Sequence, residues 1–147
     1  MKIVVQVKLL PASAHDADAL AATLRACNRA ANVASQVALR TGKDRRNVLQ
    51  EAVYYRLKAD FDLGAQPAVR VVKKVCDAYA TRKANLKAGN YGREGSKRRV
   101  KTESKPIMFR EDAAQPYDDR ILTWNLDRRT VSIWTLAGRL RGVPFVC

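Results

Sequence analysis

KANLKAGNYGREGSKRRVKTESKP, residues 83 to 106, divides the chain into two parts of different periodicity. Residues 82 to 105 hold nine Lys and Arg against two acids, which is half of the net charge of +14 carried by all 147 residues. Gly89, Gly92 and Gly95 break any helical period here, so the sequence predicts a flexible basic loop over residues 89 to 105. A run of like charge repels itself and stays disordered until a partner neutralises it. It is either a solvated linker or the part of the molecule that touches the partner.

On the N-terminal side of this run the period is helical. Ser13 followed by Asp16 reads as a helix start, because a side-chain oxygen satisfies free backbone N–H groups and a carboxylate meets the positive end of the dipole. Leu20, Leu24, Cys27, Ala31, Ala34 and Ala38 then recur at steps of three and four, a narrow stripe of small residues that lets another helix come close. Thr41-Gly42 ends this helix. Asp44 is placed to cap a second one running to about Asp60 with Leu49, Val53 and Leu57 inward, and Leu63-Gly64 to end it. Gln66-Pro67 opens a third, with Val69, Val72, Cys76 and Tyr79 as its core stripe, fading near Asn85.

At both ends of the chain the period is two. In KIVVQVKL, residues 2 to 9, Ile3, Val5, Val7 and Leu9 alternate with Lys2, Gln6 and Lys8, only Val4 breaking the pattern, which predicts a half-buried strand ended by Pro11. ILTWNLD (121 to 127) and VSIWTLA (131 to 137) are rich in branched and aromatic residues around a short turn, an antiparallel hairpin. An isolated first strand leaves an open edge, so it is expected to pair with the C-terminal strands. The expected fold is α+β: a small antiparallel β-barrel-like unit interrupted by a three-helix insertion. Its parts are a first strand (1 to 10), a helical domain (11 to 88), the basic loop (89 to 105) and the resumed β unit (106 to 147).

Few residues offer catalysis. His15, the only histidine, is expected on the surface in a loop before the first helix, so no histidine triad or multi-histidine metal site exists in this chain. Asp118-Asp119 is the only adjacent acidic pair, and it reads as a turn before Ile121 rather than a metal site. Cys27, Cys76 and Cys147 form no CxxC, and the first two fall on apolar stripes as small core residues. Trp124 and Trp134 either anchor the hairpin or stack on bases. No phosphate-loop motif appears. No apolar stretch nears the roughly 20 residues of a membrane span, and MKIVVQVKLLP lacks a cleavage site, so a reducing cytoplasm is expected. A pI near 10.2 favours a polyanionic partner.

Residues 28 to 83 resemble the N-terminal half of the transposon-encoded OrfB proteins, also called TnpB, RNA-guided DNA endonucleases related to type V CRISPR effectors. The likeness rests on Asn28, Asn32 and Ser35 along the first helix, on Tyr54 to Leu63, on the AQPAVR turn and on KVCDAY from Lys74 to Tyr79; PYDDRILTWNLDRRTVSIWTLAGRLRGVPF resembles the strands with which the family resumes its wedge domain. The resemblance implies a barrel-like wedge domain with an inserted recognition domain, gripping guide RNA and its heteroduplex with target DNA. The family cuts with a later RuvC-like domain that binds divalent metal, beside a CxxC zinc ribbon. The chain stops at Cys147 before either, so no catalytic residue, metal or cofactor carries over, and a truncated reading frame or an excerpt is expected.

The candidate nucleic-acid contacts are Arg82, Lys83, Lys87, Arg93, Lys97, Arg98, Arg99, Lys101 and Lys105, with Tyr91 able to stack on a base. Arg29, Lys43, Arg45 and Arg46 form a second patch beside the helices. A self-standing, nuclease-dead regulator or repressor is the alternative.

Overall fold

The computed structural model describes all 147 residues. Its order is β1 (Lys8–Leu9), α1 (Ala14–Thr41), α2 (Arg46–Phe61), α3 (Ala65–Lys87), α4 (Lys97–Glu103), β2 (Leu122–Asn125), β3 (Thr130–Thr135) and β4 (Gly138–Val146). The architecture is α+β, with four helices beside one antiparallel sheet.

Helix α1 begins where the sequence placed it: the Ser13 hydroxyl accepts from the Asp16 backbone N–H at 3.1 Å, and Gly42 closes it at φ 70°. His15 lies inside the first turn rather than before it, and is exposed. Cys27, Ala30, Ala31, Ala34 and Ala38 are buried, so α1 meets α2 and α3 through small side chains, while Leu20 and Leu24 stay half-buried.

Two expected helix boundaries differ. Arg45, not Asp44, occupies the α2 N-cap and makes no side-chain capping bond; the Asp44 carboxylate instead pairs with Lys83 Nζ at 2.6 Å. At the other end the left-handed residue is Asp62 (φ 53°), and Gly64 has φ −66° as the N-cap of α3. Aspartate tolerates the left-handed region better than most side chains, so glycine was not required. On α3 the inner face is Ala68, Val71, Val72, Val75, Cys76 and Tyr79, with Val69 half-buried. These residues meet Leu49, Val53 and Leu57 of α2 in the main core.

The basic run is not wholly loop. Residues 97 to 103 form α4, whose N-cap Ser96 accepts from the Arg99 N–H at 3.3 Å; the insertion thus has a fourth helix. No residue of α4 is buried, which is why no apolar period announced it. The segment is attached to the helical body through Arg82, whose guanidinium donates to the carbonyls of Thr102 and Lys105 and lies 4.7 Å from the Tyr79 ring centre.

The sheet order is β1-β4-β3-β2, and the sheet is open, not a closed barrel. The hairpin is as expected, pairing Leu122 with Ile133 and Asn125 with Thr130. The first strand does join the C-terminal ones, Lys8 opposite Val146 and Leu9 opposite Phe145. It is two residues long rather than eight, because β4 reaches its last paired residue at Val146 and no strand lies alongside Lys2 to Gln6. Val131, Val143 and Phe145 form a small second core, covered by Val7, Leu9, Leu122, Ile133 and Leu140.

Candidate nucleic-acid interface

Between α4 and the hairpin, residues 107 to 113 run as a strap across α1. The polar residues of α1 hold its main chain: the Asn28 amide donates to the carbonyls of Glu111 (3.0 Å) and Ala113 (2.9 Å). Asn32 donates to the Phe109 carbonyl at 3.1 Å and accepts from its N–H at 2.7 Å. The Ser35 hydroxyl donates to the Ile107 carbonyl, and the Tyr79 hydroxyl donates to the Ser35 carbonyl while accepting from the Ile107 N–H. Asn28, Asn32 and Ser35 therefore fix where the basic segment leaves the helical body. Lys74 completes the seam, reaching the Asn28 amide oxygen and lying 4.8 Å from the Phe109 ring centre. Desolvation lowers the Lys74 pKa, and burial raises that of the neighbouring Cys27 thiol to about 11 despite the attraction of Lys74.

The sequence-predicted cations divide into two kinds. Four are engaged within the molecule: Arg29 with Glu111 at 2.9 Å, Lys83 with Asp44, Arg99 with Glu103 at 2.8 Å, and Arg82 with the two carbonyls that anchor α4. Lys43, Arg45, Arg46, Lys87, Arg93, Lys97, Arg98, Lys101 and Lys105 form no ion pair. Six of these nine follow Arg82 in the sequence, on a short stretch of chain. Lys97 and Lys101, four residues apart, share one side of α4. Tyr91 is half-buried with the Arg98 guanidinium 5.8 Å from its ring centre, so one face of the ring is already covered.

Sequence reasoning missed part of a second polar surface, of mixed charge. A polar crevice of about 550 Å³ is lined by Arg46, Asn47 and Gln50 of α2, Gln66, Val69 and Arg70 of α3, and the 118 to 120 turn. Arg70 Nε lies 3.1 Å from Asp118 Oδ2, but its N–H is buried and misdirected for a hydrogen bond. Burial works against the Asp118 charge; hydrogen bonds from Gln66 and from the backbone of Arg120 and Ile121, with the Arg70 charge, outweigh it and lower its pKa. The Asp118 carboxylate also accepts from the Arg120 N–H at 3.1 Å, the turn expected of this pair. Arg120 donates to the Gln66 amide oxygen at 3.2 Å. Spacing alone carried no signal for this grouping, since Gln66 and Arg120 are 54 residues apart.

Trp124 is about half exposed and meets Phe145 edge-on at 5.1 Å, whereas Trp134 packs against the main core. No group of three or more His, Cys, Asp or Glu side chains is placed to hold a metal ion. No helix is long and apolar enough to cross a membrane. No protein-family model, curated protein or solved structure matches the chain.

Proposed function

We propose that this chain is a nucleic-acid-binding module that grips an RNA guide and its RNA–DNA heteroduplex, without catalysis of its own. The observation that carries the reading is the set of six cations without ion pairs, Lys87, Arg93, Lys97, Arg98, Lys101 and Lys105, on a segment tethered to a well-packed helical body. Surface cations that lack intramolecular acids are free to neutralise phosphates and release counterions. The crevice lined by Arg46, Arg70 and Arg120 together with Asp118 and Asp119 adds a mixed polar surface, where the amides of Asn47, Gln50 and Gln66 offer hydrogen bonds to base edges.

The resemblance to TnpB supplies the finer part of this reading. The helical body corresponds to the recognition domain and the open sheet to the wedge, whose barrel closure requires strands added at β1 or β2. Target choice then comes from guide pairing, the protein reading helix shape and a short adjacent motif. The metal-dependent cutting and the zinc ribbon belong to the family's later domains. A cytoplasmic location is part of the same proposal, in keeping with three free cysteines.

Filter binding of the purified chain to RNA across a salt series tests this. Six neutralised phosphates give a log-log slope near −4 for single strands and about −5 for duplex. Replacing Lys97, Arg98 and Lys101 together by Ala is expected to flatten the slope by about 2 to 3 and to weaken binding uniformly across sequences. Unchanged affinity returns residues 82 to 105 to the role of solvated linker.

A further inference from the structure

Helix α4 has little stability of its own. It is seven residues long, under the roughly 12 that an isolated helix needs in water, and it buries none of them. Lys97 and Arg98 both repel Lys101, at spacings of four and three, against one ion pair within the helix, Arg99 with Glu103 at 2.8 Å. Its ends therefore decide whether it forms. At the first end the Ser96 hydroxyl accepts from the Arg99 N–H. At the last, the Thr102 carbonyl would take the N–H four residues on, but residue 106 is proline and has none. The Lys105 N–H reaches that carbonyl at 3.4 Å. Arg82 supplies the shorter bond from α3: its Nη1 donates to the carbonyls of Thr102 at 3.0 Å and Lys105 at 2.5 Å.

Arg82 is itself braced. Its guanidinium carbon lies 4.7 Å from the ring centre of Tyr79, three residues earlier on α3. That ring belongs to the main core, and its hydroxyl donates to the Ser35 carbonyl at 2.9 Å. No acid pairs with Arg82; two carbonyls and an aromatic face answer its charge.

We propose that Arg82 is a positioning residue of the nucleic-acid interface and not one of its phosphate contacts. It keeps α4 folded against the helical body, so that Lys97, Arg98 and Lys101 meet a strand as a prearranged set, and it stays on its carbonyls when the strand is bound. The inference rests on the nucleic-acid reading. A cation that touches phosphate releases a counterion, so its loss lowers the salt slope by about 1. A cation that arranges others changes the affinity at every salt concentration and leaves the slope alone. Guanidinium suits this role because its N–H groups lie in one fixed plane that also stacks on a ring, which an ammonium does not offer.

The test is filter binding of an RNA–DNA duplex of about 20 base pairs to the full chain across a salt series, with Arg82→Ala and Arg82→Lys beside the parent. Both replacements are good helix formers, so the helical circular dichroism of α3 should persist. Both variants should bind about tenfold more weakly at each salt concentration, on lines parallel to the parent's. In the free chain, the amides of Val100 and Ser104, bonded to the Ser96 and Val100 carbonyls, should exchange their hydrogens about tenfold faster, while Val53 and Val72 in the core keep the parent rate. In a chain already carrying Lys97→Ala, Arg98→Ala and Lys101→Ala, Arg82→Lys should cost less than about twofold more, because the cations it arranges are gone. Parent-like binding by Arg82→Lys, with a slope flattened by about 1 in Arg82→Ala, makes Arg82 a phosphate contact and overturns the proposal. Unchanged exchange at Val100 and Ser104, or the full loss in the triply substituted chain, overturns it as well. A parent chain that ignores the duplex at low salt removes the nucleic-acid reading itself, and the proposal with it.

Discussion

Helices α1 and α4 both carry polar side chains at spacings of three and four, and they use that polarity in opposite ways. On α1, Asn28, Asn32 and Ser35 are answered by the main chain of the strap. On α4, only Arg99 finds an acid, and Lys97, Arg98 and Lys101 face water. Polar groups with partners inside the fold hold it in one arrangement, since leaving them unpaired is costly. Polar groups that water answers contribute little to folding and stay available to a ligand.

The sharpest test of this contrast is Asn28→Ala. It removes the bonds to Glu111 and Ala113 and takes from half-buried Lys74 its nearest acceptor, for a loss of about 2 to 3 kcal/mol by denaturant unfolding. Asn32→Ala strips both main-chain bonds of Phe109 at a less buried position, and about 1 to 2 kcal/mol is expected.

Asp118→Asn probes the crevice acid that pairs with Arg70 and accepts from Gln66, with about 1 kcal/mol expected at neutral pH. Its lowered native pKa stabilises the fold above the unfolded carboxylate value, about 4, and that contribution disappears as pH falls through the native value. The difference between parent and variant should therefore shrink on acidification. At the other extreme, Lys97→Ala with Lys101→Ala should move stability by less than about 0.5 kcal/mol. A loss from this pair as large as that from Asn32→Ala would break the comparison.

Much of the fold was legible because its signals were local. The Ser13 start, the stripe from Cys27 to Ala38 and the hairpin at 121 to 135 are each decided within a few residues of sequence. Strand 2 to 9 failed in length because alternation states which side chains share a face but cannot supply the neighbour that makes a strand. Helix α4 was missed because a seven-residue helix with no buried face has no period to read. The cation site was half legible. Composition locates the charge, yet whether a cation is free depends on acids far along the chain: Lys83 meets Asp44, and Arg29 meets Glu111 across 82 residues. The series Asn28, Asn32, Ser35 did hold a signal for the seam, since its steps of four and three place three hydrogen-bonding groups on one side of α1.

The polar grip of Asn28, Asn32, Ser35 and Tyr79 on the strap goes to its carbonyl and amide groups, which every non-proline residue possesses, while the side chains of Ile107 and Phe109 pack against the main core. Its own side chains at Met108 and Arg110, both exposed, are therefore free to change, whereas its length is not. One added residue between Ile107 and Ala113 would put the wrong peptide group before the α1 side chains on one side of it, so the seam works as a ruler that counts peptide units and sets how far the basic segment stands from the hairpin.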